Sequence, residues 1–150
     1  MFKKILVPLD GSDMAEAVLP NVRVLAKCFE SEITLLQVLT PIPMSYYGAT
    51  VDMVVMSDLE QSARTAANSY IQKTVAHLED LGIKARAVIH EELSAADFIL
   101  RYAEQNNIDL IAMSTHGRTG IERWLLGSVA DRVMNHAKTP VLLVRPDLSA

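Results

Sequence analysis

The residues with the most chemical content lie late in the chain: Ser114-Thr115-His116-Gly117-Arg118-Thr119-Gly120, then Gly127-Ser128. They follow the apolar run Leu110-Ile111-Ala112-Met113 and lead into a segment with helical spacing from Ser128. A strand, a glycine-bearing loop and a helix start together make an anion site. Glycine turns with positive φ and lets a ligand approach the backbone. The first helical turn presents N–H groups without intrahelical partners, at the positive end of the helix dipole. Ser128 can cap that helix and also donate its hydroxyl to an anion. The chemistry these residues offer is phosphate binding; the plainer alternative is a structural loop from strand to helix.

Two common nucleotide loops are excluded. No G-x-x-x-x-G-K-[ST] occurs, and no lysine stands between Gly117 and Ser128. Pro8-Leu9-Asp10-Gly11-Ser12, after the first apolar run, carries one glycine and not G-x-G-x-x-G. These absences argue against a P-loop NTPase and an ordinary dinucleotide enzyme. His116 has no Cys or His at metal-ligand spacing and no Ser-His-acid order around it, so it neighbours the phosphate at most. Arg118 and Arg123 read as flexible cations near the polyphosphate, with a solvated surface arginine the plainer reading of Arg118, and Trp124 is expected to pack the loop against the core and not to stack a base.

The loop must be positioned by alternating strands and helices. Lys4–Leu9 reads as the first strand. Asp13–Glu30 has helical spacing, with Ser12 or Asp13 as its cap and Pro20 predicting a kink or a loosened first half. Glu32–Leu39 is the second strand, its apolar run broken by Thr34 and Gln37. Thr40–Met56 reads as a long loop with Met44, Met53, Met56, Tyr46 and Tyr47, suited to a lid or a partner surface, with a disordered segment as the alternative. Ser57–Leu81 is an amphipathic helix through Leu59, Ala63, Ala66, Ala67, Tyr70, Ile71, Val75 and Leu78, with Gly82 as its stop. Ile83–His90, Asp109–Met113 and Pro140–Arg145 read as strands, and Ser94–Asn106 and Ser128–His136 as helices.

This order predicts an α/β fold: an open, doubly wound, five-stranded parallel sheet with helices on both faces. In the order 3-2-1-4-5 the topological switch point falls between strands one and four. The loops leaving those strands are Asp10-Gly11-Ser12 and Ser114–Gly127. The glycine loop therefore faces Asp10 across a crevice, and two separate features converge on one place.

Composition narrows the classes. The chain has 150 residues, enough for one domain with a full core, and no internal linker. A net charge of −4 lacks the basic footprint of a nucleic-acid binder. No apolar stretch is long enough to cross a bilayer, and the apolar run after Lys3-Lys4 stops at Pro8, too short for a signal-peptide core. The expected location is the cytoplasm. The lone Cys28 cannot form an internal disulfide and reads as a small buried hydrophobe.

Taken together, the residues resemble the universal stress protein family, in its ATP-binding branch. The resemblance runs from Lys4-Ile5-Leu6-Val7-Pro8-Leu9-Asp10-Gly11-Ser12, through the glycine loop and Leu126-Gly127-Ser128-Val129-Ala130, to Thr139-Pro140-Val141-Leu142-Leu143-Val144. The family's motif is G-x2-G-x9-G-[ST]; Gly117, Gly127 and Ser128 match it, and Ser114 replaces the first glycine. The resemblance implies a single Rossmann-like domain, akin to adenine nucleotide alpha hydrolases, over residues 1–150. It implies ATP, with Mg, as ligand. Pro8, Leu9 and Asp10 would flank the nucleoside, and Val38 the adenine. Met113 and Ser114 would stand between nucleoside and first phosphate. Gly117, Gly127, Ser128 and Val129 would bind phosphates, with Arg118 added as a cation. Ala130 stands where some members carry a hydroxyl.

The resemblance also implies a homodimer through antiparallel pairing of Pro140–Val144, and a switch role toward an unidentified protein partner. The rival readings are a slow ATPase and a nucleotide-free scaffold. No general base, catalytic lysine or Mg-binding acidic pair is evident, which places turnover second. If a left-handed backbone is needed at position 114, Ser114 is strained and the scaffold reading gains.

Overall fold

The computed structural model describes residues 1–41, 53–115 and 127–146. Its strands are β1 (Lys4–Pro8), β2 (Glu32–Leu39), β3 (Lys84–Glu91), β4 (Leu110–Ser114) and β5 (Val141–Val144). They form one parallel sheet in the order β3-β2-β1-β4-β5, the doubly wound arrangement expected. The helices are α1 (Asp13–Glu16), α2 (Leu19–Phe29), α3 (Met53–Asp80), α4 (Ala95–Gln105) and α5 (Ser128–His136).

Strand alternation sends side chains to two separate cores. Ile5, Val7, Ile33, Leu35 and Ala112 meet Ala15, Val22 and Ile71 from α1, α2 and α3 on one face. Leu6, Leu36, Ile111 and Met113 meet Ile99, Ala130 and Val133 from α4 and α5 on the other. Both faces being covered explains why the central strands are apolar at nearly every position. No described helix is long and apolar enough to cross a membrane.

Three expectations are corrected. The expected helix Asp13–Glu30 is two helices. Pro20 has no N–H and its ring would collide with the carbonyl of Glu16, so α1 stops there and Pro20 sits in the first turn of α2. Ser12 is the cap of α1, its hydroxyl accepting from the Ala15 N–H at 3.1 Å. Cys28 is exposed, not buried. The buried stripe of α2 runs through Val22 and Ala26, and two residues past Ala26 the helix has turned outward.

The third correction concerns α3. It begins at Met53, inside the expected loop Thr40–Met56, and only its second half is an inward face. Ala67, Ile71, Val75 and Leu78 are buried, whereas Ala63 and Ala66 are exposed and Leu59 is 51% exposed. Length is the reason. A helix of 28 residues spans about 42 Å. The eight residues of β2 span about 26 Å, so α3 overhangs the sheet. Met44, Tyr46 and Tyr47 lie outside the described residues.

Gly82 ends α3 as expected. It has φ +76°, its N–H donates to Glu79, and Ile83 N–H reaches back to Leu78, which satisfies the last carbonyls. Space around it is open, so a side chain there meets only the backbone penalty. Gly82→Ala is expected to lower stability by about 1–2 kcal/mol, the cost of a left-handed residue with a Cβ. A urea titration measures it, and an unchanged midpoint refutes the capping account.

Candidate nucleotide site at the switch point

The carboxyl ends of β1 and β4 lie side by side, because Ile5 and Leu6 pair with Leu110 and Ile111. Chain reversal there leaves a crevice that helices on opposite faces do not fill. A pocket of roughly 200 Å³ occupies it. Pro8, Leu9 and Asp10 line one side, Met113 and Ser114 the next, and Val38 the floor at the end of β2. Gly127, Ser128 and Val129 close it from the start of α5. Nine of the residues singled out in the sequence thus meet around one cavity. Gly117 and Arg118 lie outside the described residues, as do His116, Arg123 and Trp124.

Sequence reasoning did not find the remaining walls. Leu36, Ala15, Ala95 and Ile99 also line the pocket. Leu36 and Ile99 belong to the buried core between the sheet and α4, and in sequence they read only as core. Ala130 was noted for its missing hydroxyl; it is buried and lines the pocket as well. The cavity therefore has an apolar slot beside a polar rim of Asp10, Ser114 and Ser128.

The rim is built by local bonding. Asp10 accepts from the Ser12 N–H at 2.9 Å and the Ser12 hydroxyl at 2.6 Å. Capping is left to Ser12, so Asp10 shapes the turn instead of ending the helix. Gly11, between them, has φ +84°, a conformation that favours glycine. Ser114 is only 5% exposed, and its hydroxyl has one long contact, 3.4 Å to the Thr115 carbonyl. Ser114 is absent from the left-handed region, so replacing glycine there strains nothing.

At α5 the cap residue is Gly127, with φ −55° and no side chain to bond the first N–H groups. Those amides and the dipole face the pocket mouth. The lining carries one carboxylate and no cation among the described residues. Among the described lining residues, attraction for an anion comes from amides, not side-chain charge. Arg132 of α5 holds Asp97 of α4 at 2.8 Å, tying together the two helices that supply pocket walls. The Ser94 hydroxyl, and then Arg132, keep the Asp97 carboxyl below the usual range. No cluster of three metal-ligating side chains occurs among the described residues.

The family model for the universal stress protein family matches residues 1–145. The chain belongs to the universal stress protein family. Universal stress protein MJ0531 of Methanocaldococcus jannaschii is 34% identical over 145 residues, covering 97% of this chain and 83% of that protein. The solved structure of MJ0577 from the same organism has a TM-score of 0.84 at 30% identity and covers 99% of both chains. The universal stress protein of Archaeoglobus fulgidus, solved in complex with dAMP, is 21% identical with a TM-score of 0.66, covering 95% of this chain and 98% of that one. This last likeness is one of fold.

Proposed function

We propose that this universal stress protein binds ATP, with Mg, at the switch-point pocket and acts as a homodimeric, nucleotide-dependent switch for a protein partner. The observation that carries the reading is the pocket's two-part character. An apolar slot between Val38, Leu36 and Met113 suits a planar base, and it opens onto the uncapped start of α5, which suits phosphates. The cavity is smaller than the usual 300–1,000 Å³ or so of a drug-sized ligand site. It takes base and ribose, and the phosphates run out over Gly127, Ser128 and Val129, with Gly117 and Arg118 as the further phosphate ligands that the family motif and its neighbouring cation suggest. Asp10 receives ribose or base donors. Magnesium keeps most of its waters and is held chiefly by the phosphates, consistent with the single carboxylate. A family fold carrying dAMP in the Archaeoglobus fulgidus protein supports an adenine nucleotide.

Dimerisation through β5 is supported by the contrast between the two sheet edges. β3 carries Lys84, Arg86, His90 and Glu91, charges that discourage pairing. β5 is Val141-Leu142-Leu143-Val144, with no charge. The reading implies a cytoplasmic setting, where ATP and a reduced Cys28 both belong.

Calorimetry of nucleotide-stripped protein with Mg-ATP tests it. Saturation near one ATP per subunit is the expected result, with a rise in melting temperature by linkage. Heats that never saturate at millimolar ATP overturn the reading in favour of a scaffold. Ser114→Ala should weaken binding by about five- to tenfold, one hydrogen bond's worth. Equal affinity would remove the Ser114 hydroxyl from the ligand contacts.

A further inference from the structure

Two ion pairs join α4 to α5 and the turn that follows it. Arg132 Nε donates to Asp97 Oδ1 at 2.8 Å, and Lys138 Nζ lies 3.1 Å from Glu104 Oε1. The pairs differ in where they fall along α4. Asp97 is in the first turn, between Ala95 and Ile99, both of which line the nucleotide pocket. Glu104 is in the last turn, roughly 13 Å further along the axis from Ala95. On α5, Arg132 stands one turn beyond Ser128, and Ser128, Val129 and Ala130 line the pocket as well. The Asp97–Arg132 pair therefore spans two walls at the pocket end, and the Glu104–Lys138 pair lies at the far end.

Between the two helices the buried contact is apolar. Phe98, Ile99 and Ala103 share one core with Ala130 and Val133. Apolar burial favours contact without specifying direction. A hydrogen-bonded ion pair does specify it, because it weakens steeply away from its preferred distance and angle. Asp97 is itself anchored. Its backbone N–H donates to the Ser94 hydroxyl at 3.3 Å. Its carboxyl, held below the usual range by the Ser94 hydroxyl and then by Arg132, stays charged. Both side chains are partly exposed, so the pair adds little to stability. What it does add is a defined spacing.

We propose that Asp97 and Arg132 are positioning residues for the nucleotide: their ion pair fixes the spacing between the α4 wall, Ala95 and Ile99, and the first amides of α5. Nucleoside and phosphate belong to one molecule, so walls at the wrong spacing satisfy one part at the other's expense. A preset spacing also spares the cost of ordering the two walls on binding. The proposal rests on nucleotide binding at the switch-point pocket.

A double-mutant cycle read by Mg-ATP calorimetry tests this. Asp97→Asn and Arg132→Gln should each raise Kd about three- to fivefold, and the double variant should bind no more weakly than either single one. Glu104→Gln breaks the far pair and should bind as wild type does. Without nucleotide, all of these variants should melt close to the wild-type temperature. Charge acting directly on phosphate gives a different pattern: Asp97→Asn removes a negative charge and tightens binding, whereas Arg132→Gln loosens it. Opposite signs, or losses that add in the double variant, overturn the proposal. So does an equal loss in Glu104→Gln, or a fall in free-protein melting temperature that tracks weaker binding, because either makes the pair a general tie between helices. Unchanged affinity in both single variants beside a wild type that binds also overturns it, and leaves the site assignment standing. A wild type that fails to bind Mg-ATP overturns both.

Discussion

Gly127→Val is expected to abolish Mg-ATP binding, with a loss of at least about a hundredfold in affinity by calorimetry and a fold that survives. Gly127 is the cap of α5 and lines the pocket. A valine there places a branched side chain where, in the proposed complex, phosphate approaches the first amides of the helix. Replacing a group that lets backbone meet ligand removes several amide bonds at once, each charge-assisted and worth about 1.5–3 kcal/mol. The backbone can accept the change, because φ −55° and ψ 147° lie in a region open to valine. Circular dichroism and melting temperature without nucleotide should match wild type. Retained affinity would move the phosphates away from α5. The same variant separates switch from enzyme: equal phosphate release by both proteins over hours assigns any turnover to a contaminant.

Leu143→Pro is expected to convert the proposed β5-paired dimer to a folded monomer. Along β5, the carbonyls of Pro140, just before it, and of Val144 accept from the N–H groups of Ile111 in β4 and Thr115 just after it, both at 2.9 Å. The backbone groups of the even-numbered residues therefore face inward, and those of Val141 and Leu143 face the open edge. Proline at 143 deletes an outward N–H that a partner strand would accept from, and leaves the β4 ladder its donors. Leu143 also packs against the α4 and α5 core, so some stability is lost. Sedimentation equilibrium at a concentration where circular dichroism shows folded protein gives the answer. A dimer that persists would place the interface elsewhere, and a wild-type monomer would dispose of it.

Much of the fold was readable along the chain. Alternating apolar runs and amphipathic segments named the strands and helices, because each element's period reflects its own geometry. The crevice between Asp10 and Ser114 followed from that order together with the handedness of crossovers. Boundaries moved by a residue or so at most strands. The larger misses have a common cause. Leu59, Ala63 and Ala66 continue a helical stripe, but nothing in α3 says where the sheet beneath it ends. Cys28 stands among apolar neighbours, and its exposure depends on which side of α2 meets the sheet.

The site divides along the same line. Glycines at 117 and 127, a serine at 128 and a carboxylate at the end of the first strand are local statements about backbone freedom and charge, and a single stretch of chain expresses them. Leu36, Ala95 and Ile99 carry no such mark. Each is an apolar residue on its own element, and each becomes a pocket wall because β2 and α4 are brought beside β1 and α5. Periodicity and turn chemistry are properties of neighbours in sequence, so they can be read in order. Burial and polar satisfaction are properties of neighbours in space, so they arise only when the chain closes on itself.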